Sequence, residues 1–574
     1  MPDNRDIQTN GTPSVTTVTV LSGGQEVPRS YPIASVMVNK EVNRIPAATL
    51  IYQDGEASKQ TFALSDTDLF IPGKEIEIKV GYGGKDETIF KGVVIRNSIK
   101  VRKNISLFTV ECRDKVFAAS ITPQEKYYKD QKDKEVMEDI LSAWSMQKEV
   151  DATTYKHPGL VQYHLTDWDF LLERATANGL LIAIDDGKAT IKAPDLSQQP
   201  VETVQYGSSL LELDLEMDAR TQPAGLKSYL WDYASQQLTP VEAKEPTGTL
   251  GGNISAKDLA NSIKTKDTEL KFNNKINSAE LQPATDSMLQ QARLSRITGR
   301  ANFQGTPKIK PGNIVALKGV GKRFEGNAFV SGVRHQIVKG NWTTDIQIGF
   351  QQPVPVNPQA PASRITSLQV GIVTQLENDP EGEDRIKVTL PFINSKEDGM
   401  WARISTLDAG KQRGSFFRPE KNDEVLVSFI DGNPNYPVIL GGLNSSALPA
   451  PLKASDNNDE KGLVTRSQMK MIFNDKKKSF QLDTPAGKKF TLSEDADILQ
   501  LEDEHGNKIT MNSSGISIES PKDISFKATG AMTVEGKTAD VKASMGFKAD
   551  GGGGCELAAG NGMTSVKGGM VKIN

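Results

Sequence analysis

Four carboxylates, Asp379, Glu381, Glu383 and Asp384, fall within six residues and are the first candidates for acid–base chemistry. Pro380 and Gly382 interrupt them, which is the composition of a solvated turn rather than of two opposed catalytic groups. The run Leu21-Ser22-Gly23-Gly24-Gln25 spells a nucleotide-handling signature of transporter ATPases. That signature works beside a phosphate-cradling loop of the form G-x-x-x-x-G-K-S/T, which the chain lacks. Gly81-Tyr82-Gly83-Gly84-Lys85 and Gly319-Val320-Gly321-Lys322 have the wrong spacing, so a strand-turn is the better reading of all three. The four histidines are His157 and His164, seven apart across Pro158-Gly159, and the isolated His335 and His505. With only Cys112 and Cys555 besides, nothing has metal-ligand spacing. An axial metal to which each of several chains gives one ligand stays open. Phe416 and Phe417 beside Arg413 and Arg418 could stack and neutralise an oligonucleotide. A subunit contact is the favoured use. The expectation is a chain with no catalytic residue, no bound cofactor and no metal of its own.

Chemistry being absent, the elements themselves become the subject. Hydrophobic residues make up 37% and charged residues 24%, with a net charge of −4, an ordinary soluble balance with no basic excess for nucleic acid or an anionic membrane. The opening MPDNRDIQTNGTPS has no apolar core, so no classical signal peptide is expected, and no run reaches the roughly 18–20 apolar residues of a membrane span. Two cysteines in different segments fit folding in a reducing cytoplasm.

The most regular stretch runs from Ile509 to Asn574. Apolar residues come in pairs two apart: Ile509/Met511, Ile516/Ile518, Ile524/Phe526, Met532/Val534, Ala539/Val541, Phe547/Ala549, Cys555/Leu557, Met563/Ser565 and Val571/Ile573. From Ile516 onward their first members step by eight residues, with a single step of seven. An apolar–polar–apolar triplet is strand alternation, and its repetition marks a stacked solenoid. One such short strand has two unpaired edges and too little apolar area to stand alone. Several chains wound together close each other's edges, and three give the simplest closed prism. Ile516, Ile518, Ile524, Phe526, Met532, Val534, Val541, Phe547, Cys555 and Leu557 are the expected needle core, with Cys555 a small apolar filler rather than a redox group.

Taken in order, residues 1–120 read as strands separated by turns at Asp54-Gly55, Pro72-Gly73 and Gly83-Gly84, a β-barrel or sandwich. Residues 121–200 carry two amphipathic helices, Lys134 to Trp144 and Trp168 to Asn178, then a hairpin through Asp186-Gly187. Residues 201–350 return to strands, with a polar stretch from Pro240 to Lys275 read as a loop or insertion and a short helix near Ser287 to Ile297. A Pro-rich linker (351–364) precedes a compact β unit (365–445). A second linker (446–466) precedes the needle (467–574).

That compact unit contains DPEGEDRIKVTLPF (Asp379 to Phe392) and MWARISTLDAGKQRGSFFRPEKNDEVLVSFIDGNPNYPVILGG (Met400 to Gly442). It resembles the OB-type barrel of contractile-machine spikes, the VgrG proteins and their phage and extracellular injection relatives. Upstream, YHLTDWDFLLERATANGLLIAIDDGKATI (Tyr163 to Ile191) resembles the helix-plus-hairpin of that family's hub. Arg44 to Gly55, Phe70 to Tyr82 and Arg296 to Ile337 resemble its two barrels, and Lys567 to Asn574 resembles its spike terminus. The phage relative carries a lysozyme domain between barrel and needle. About 25 polar residues, Asn444 to Ser467, stand there instead, and no effector domain is expected beyond Asn574.

The resemblance implies a mainly β protein of hub barrels with a small α/β insert, an OB-fold neck and an intertwined trimeric β-helix. It implies a structural, non-enzymatic homotrimer that joins an inner tube of Hcp-like rings and a baseplate to the puncturing tip. Val571, Lys572, Ile573 and Asn574 would dock a PAAR-type tip cap, and effector cargo could ride with it. Neither nucleic acid nor stable membrane insertion is expected. The chain would fold in the bacterial cytoplasm and be expelled on contraction. The rival readings are a phage-tail-type lytic enzyme and a receptor-binding tail protein.

Overall fold

The computed structural model describes residues 15–103, 105–233, 235–272, 278–350 and 363–573. The polar opening 1–14, most of the first linker (351–362) and Asn574 lie outside the described residues. The chain divides into two compact units, Met1–Pro449 and Ala450–Asn574.

The first unit is built on a thirteen-stranded sheet. Alternation makes its strands: in Glu75–Tyr82, Ile76, Ile78 and Val80 are buried while Glu75, Glu77 and Lys79 turn away. Leu21–Gln25 is a hairpin turn, with Gly23 and Gly24 at positive φ (54° and 83°) between the strands Thr16–Ser22 and Gln25–Glu26. The segments expected as two separate barrels share this one sheet. Strand Ile33–Glu41 pairs antiparallel with Gly326–Val338 from Glu41↔Gly332 to Ser35↔Val338, fusing residues nearly three hundred apart. Packing holds the seam: Val36 and Val38 share a core cluster with Ile337, so the two strands bury side chains on a common face.

The insert follows its expected plan. Helix α1 (Asp133–Ala143) buries Val136, Met137, Ile140 and Leu141, and helix α2 (Asp167–Ala177) is capped by Thr166, whose hydroxyl accepts from the Asp169 amide. They cover a three-stranded sheet of Gln147–Val150, Lys188–Lys192 and Leu181–Asp185.

The polar stretch from Pro240 to Lys275 is not a loop over its described part. It holds the end of strand Gln237–Glu242, helix α3 (Ala256–Ser262), and strand Thr268–Phe272, both strands flanking Leu226–Asp232. Few apolar residues suffice: Val241, Leu270 and Phe272 pack on Leu281, and a Ser255/Asp258 capping box starts α3. The short helix expected near Ser287 is longer: α4 spans Ser278–Leu294 and tolerates Pro283 near its start. Its buried positions Leu281, Ala284, Thr285, Met288 and Leu289 follow one helical stripe.

Five strands close a small barrel: Gln369–Gln375, Ile386–Thr389, Met400–Ile404, Pro437–Gly442 and Glu424–Phe429. A Cβ on Gly371 would lie 2.6 Å from Val388, so a bare backbone is needed at this crossing. Tyr127 and Val161 of the insert belong to the barrel's core cluster, and the Leu390 amide donates to the Tyr127 hydroxyl, so barrel and insert dock.

The second unit begins earlier than the expected 467. Seven antiparallel strands form a meander from Glu460–Val464 through Gly515–Glu519, and the first lies inside the segment read as a linker. Leu463 and Val464, adjacent and preceded by Glu460-Lys461-Gly462, show no apolar–polar alternation, too weak a local mark for a strand.

Candidate functional site

The acidic turn is structural. The Asp379 carboxylate accepts from the backbone amides of Glu381, Glu383 and Arg385 and from the Arg385 guanidinium at 2.6 Å. Burial works against its charge, but these donors outweigh it and hold the carboxyl down at about 2. Asp384 pairs with Arg418.

His157 sits in a buried polar cluster. Its Nε2 lies 3.0 Å from the Asp133 carboxylate, which also receives Asn178 at 2.7 Å and faces Arg174 at 3.4 Å. Burial opposes the Asp133 charge, and Arg174, His157 and Asn178 overcome it, lowering the group to about 2. Glu280 of α4, pushed up by burial, lines with Arg174 and Tyr436 a cavity of about 100 Å³ between insert and barrel. The cluster ties α1, α2, α4 and the barrel together. His335 is buried against Trp342 and Thr344, and burial pulls it down to about 3. Among the described residues no three His, Cys, Asp or Glu side chains gather as metal ligands.

What remains unsatisfied is apolar surface. In the meander the first strand gives one apolar side chain to one face and each of the other six gives two, and the register lines them into two ladders. One runs Phe473, Phe480, Leu492, Leu499, Met511, Ile516; the other runs Leu463, Met471, Leu482, Phe490, Leu501, Ile509, Ile518. Phe473 and Phe480 touch at 4.9 Å between ring centres. The opposite face is polar and carries a column of alternating charge: Lys470, Asp483, Lys489, Glu502, Lys508, Glu519. Each directly opposed pair in that column attracts, which fixes the register. Among the described residues of this unit nothing covers the apolar face, and Leu482, Phe490, Leu501 and Ile509 line an open groove on it of about 510 Å³. A contiguous patch of this kind marks an interface.

Of the expected needle core, Ile516 and Ile518 join these ladders opposite Met511 and Ile509. Ile524, Phe526, Met532, Val534, Val541, Phe547, Cys555 and Leu557 lie in 520–573, where a single chain forms no strand, and all are exposed. Of the tip residues, Val571, Lys572 and Ile573 are exposed and Asn574 is outside the described residues. Sequence reading missed the ladder from Leu463 to Leu501. Its signal was present as Met471/Phe473, Phe480/Leu482, Phe490/Leu492 and Leu499/Leu501, the same paired spacing at a step of nine or ten. On the barrel, Phe416 and Phe417 are 80% and 68% exposed and Leu407 fully so, a second apolar surface beside Arg413.

The chain matches two known families: residues 12–339 match the Alg8 N-terminal domain, and residues 369–443 match the type VI secretion system/phage-baseplate injector OB domain. It is 21% identical over 443 residues to the type VI secretion system spike protein VgrG1a of Pseudomonas aeruginosa, covering 69% of this chain and 66% of that protein. To VgrG1b of the same organism it is 25% identical over 197 residues, 31% of this chain and 26% of the relative. The chain thus spans just under two thirds, and about a quarter, of these relatives' own lengths. In fold it is similar to a chain of the lidded Francisella PdpA-VgrG complex, with a TM-score of 0.54, 10% identity, and coverage of 90% of this chain and 81% of that one. The lidless PdpA-VgrG complex gives 0.53 at 10% identity, covering 88% and 98%.

Proposed function

The chain belongs to the family of the Alg8 N-terminal domain and is a VgrG-type spike protein, and on that premise we propose that it acts as the homotrimeric spike of a contractile injection machine. The observation that carries the reading is the uncovered double ladder of thirteen apolar side chains, Leu463 to Ile518, on one face of a register-locked sheet. Covering one Leu, Ile, Met or Phe side chain is worth about 1.5–3 kcal/mol, so such a face is not left to water. Three copies, each giving one such sheet to a side of a prism, bury all three apolar faces on a common axis. The eight-residue repeat beyond Ser520 has its inward residues supplied in the same way: Ile524, Phe526, Met532, Val534, Val541, Phe547, Cys555 and Leu557 fill the axis.

The work of such a device is mechanical. Paired strands load many hydrogen bonds at once, and no group needs to react. The hub sheet would meet rings of a tube protein and the baseplate, and Val571 to Asn574 a PAAR-type cap. Structural neighbours include a VgrG complex with PdpA, which supports a partner or cargo protein on the spike. Among the described residues no helix is long and apolar enough to cross a membrane.

The test is genetic and structural together. Removing the chain from its host should abolish assembled contractile particles seen by electron microscopy, and the wild-type chain should restore them. A chain carrying Leu482→Asp and Leu501→Asp should not. Normal particles in the deletion strain would refute the proposal.

A further inference from the structure

The insert, helix α4 and the small barrel meet around one polar cavity of the first unit, at a joint that is otherwise tightly closed. A Cβ on Gly159 would lie 2.6 Å from the Met400 sulfur. The Val161 amide donates to Asn435 Oδ1 at 2.8 Å, and the Leu390 amide to the Tyr127 hydroxyl at 3.2 Å. Surfaces that fit this closely do not leave about 100 Å³ open through poor packing.

Three groups on the wall lack the partners that buried polar atoms ordinarily have. Arg174 is 4% exposed, and its terminal nitrogens face Asp133 and Glu173 while its Nε–H has no acceptor. Glu280 is 6% exposed, and its carboxyl makes no hydrogen bond or ion pair among the described residues. The Tyr436 hydroxyl is likewise unbonded among them. Burial pushes both the Glu280 carboxyl and the Tyr436 phenol up, the direction expected of groups with no counter-charge.

The charges of the wall narrow the ligand. Glu173, Glu280 and Glu381 line the space together with Arg174, Arg385 and Arg403, three carboxyl groups against three guanidiniums. An anion or a cation would gain from one set and lose to the other, whereas a molecule carrying both signs gains from both. Arg385 is engaged by Asp379, and Arg403 lies over the Tyr233 ring. That leaves the Arg174 Nε–H as the inner donor and Glu280 as the inner acceptor, and the two form no ion pair with each other. The space is smaller than the ~150 Å³ cavity that takes up benzene, so it suits about six non-hydrogen atoms. We propose that the cavity binds a small zwitterion of the amino-acid type, its carboxylate accepting from the Arg174 Nε–H and the Tyr436 hydroxyl and its ammonium donating to Glu280. Every lining residue belongs to one copy's first unit, so the site exists whether or not the chain assembles.

The test is isothermal titration calorimetry of the full chain with glycine, L-alanine and D-alanine, beside acetate and ethylamine, each of which carries half of the ligand. Saturable binding of an amino acid is expected, one per chain and at least tenfold tighter than either half. Glu280→Gln should weaken it at least tenfold and Tyr436→Phe about fivefold. Both variants stay close to the native shape, and unchanged melting temperatures would separate lost binding from lost folding. No binding of any amino acid at millimolar concentration would overturn the proposal and leave the cavity to water. Acetate binding as tightly as alanine would overturn it in favour of a plain anion site. Affinity unchanged in both variants would place the ligand elsewhere and overturn it as well.

Discussion

At the scale of single residues the chain spends its buried charge on holding parts together. Arg174 is the partner that lets Asp133 stay ionised out of water, so Arg174→Met should cost roughly 3–5 kcal/mol in urea unfolding, the usual penalty for orphaning a buried charge. Replacing Asp133 and Arg174 together by apolar residues should cost much less. Among the groups through which acid should act, two are buried deep in the first unit, His335 and Asp133. The folded-state value of His335, about 3, lies below its ordinary 6.5, so its contribution is fully present above pH 6.5 and is lost as pH falls toward 3. Asp133, at about 2 against 3.8, loses its contribution lower, between about pH 4 and 2. Melting temperatures should therefore fall first below pH 6.5. His335→Gln should flatten that upper part of the profile and leave the part below pH 4; an unchanged upper slope would remove His335 as its cause. None of this was legible in the sequence. His157 and Asp133 are 24 residues apart and meet only because a β-bridge and a helix start converge. The acidic turn at Asp379 was readable, since Pro380 and Gly382 fix a turn whatever surrounds it.

At the scale of elements, legibility followed local strength. Helices α1 and α2 were visible from their apolar stripes and the Thr166 cap. The barrel's strands were visible from Val/Ile alternation between Gly and Pro turns. The segment around α3 was opaque because its few apolar residues take their partners from α4, distant in sequence. The two hub segments likewise revealed their strands but not their seam, because pairing between Ile33–Glu41 and Gly326–Val338 leaves no mark in either strand. The meander makes the sharpest prediction here. Phe490→Asp should convert the full chain to monomers in sedimentation velocity while the hub keeps its melting transition. Thr491→Asp, one residue along on the polar face, should leave assembly nearly unchanged. If both behave alike, the assignment of faces is wrong. Within the barrel, Asp379→Ala removes three backbone acceptor contacts and should destabilise that transition by about 1–3 kcal/mol.

At the scale of the whole molecule, a thirteen-stranded sheet and a closed barrel are joined in sequence to a second unit whose main chain is well paired yet whose apolar face is bare. Its last segment, 520–573, forms no strand from a single chain although its eight-residue repeat is the most regular pattern in the sequence. The proposed assembly gives both facts one cause: the partner strands and the missing half of the core would come from other copies. The central claim is that this chain is complete only as three. Sedimentation equilibrium of the full chain beside a version ending at Gly442 tests it most directly. The account predicts a single species of three times 62.5 kDa for the full chain, with weaker or no association for the shortened one. A full-length chain that stays monomeric at micromolar concentration in native buffer would contradict it.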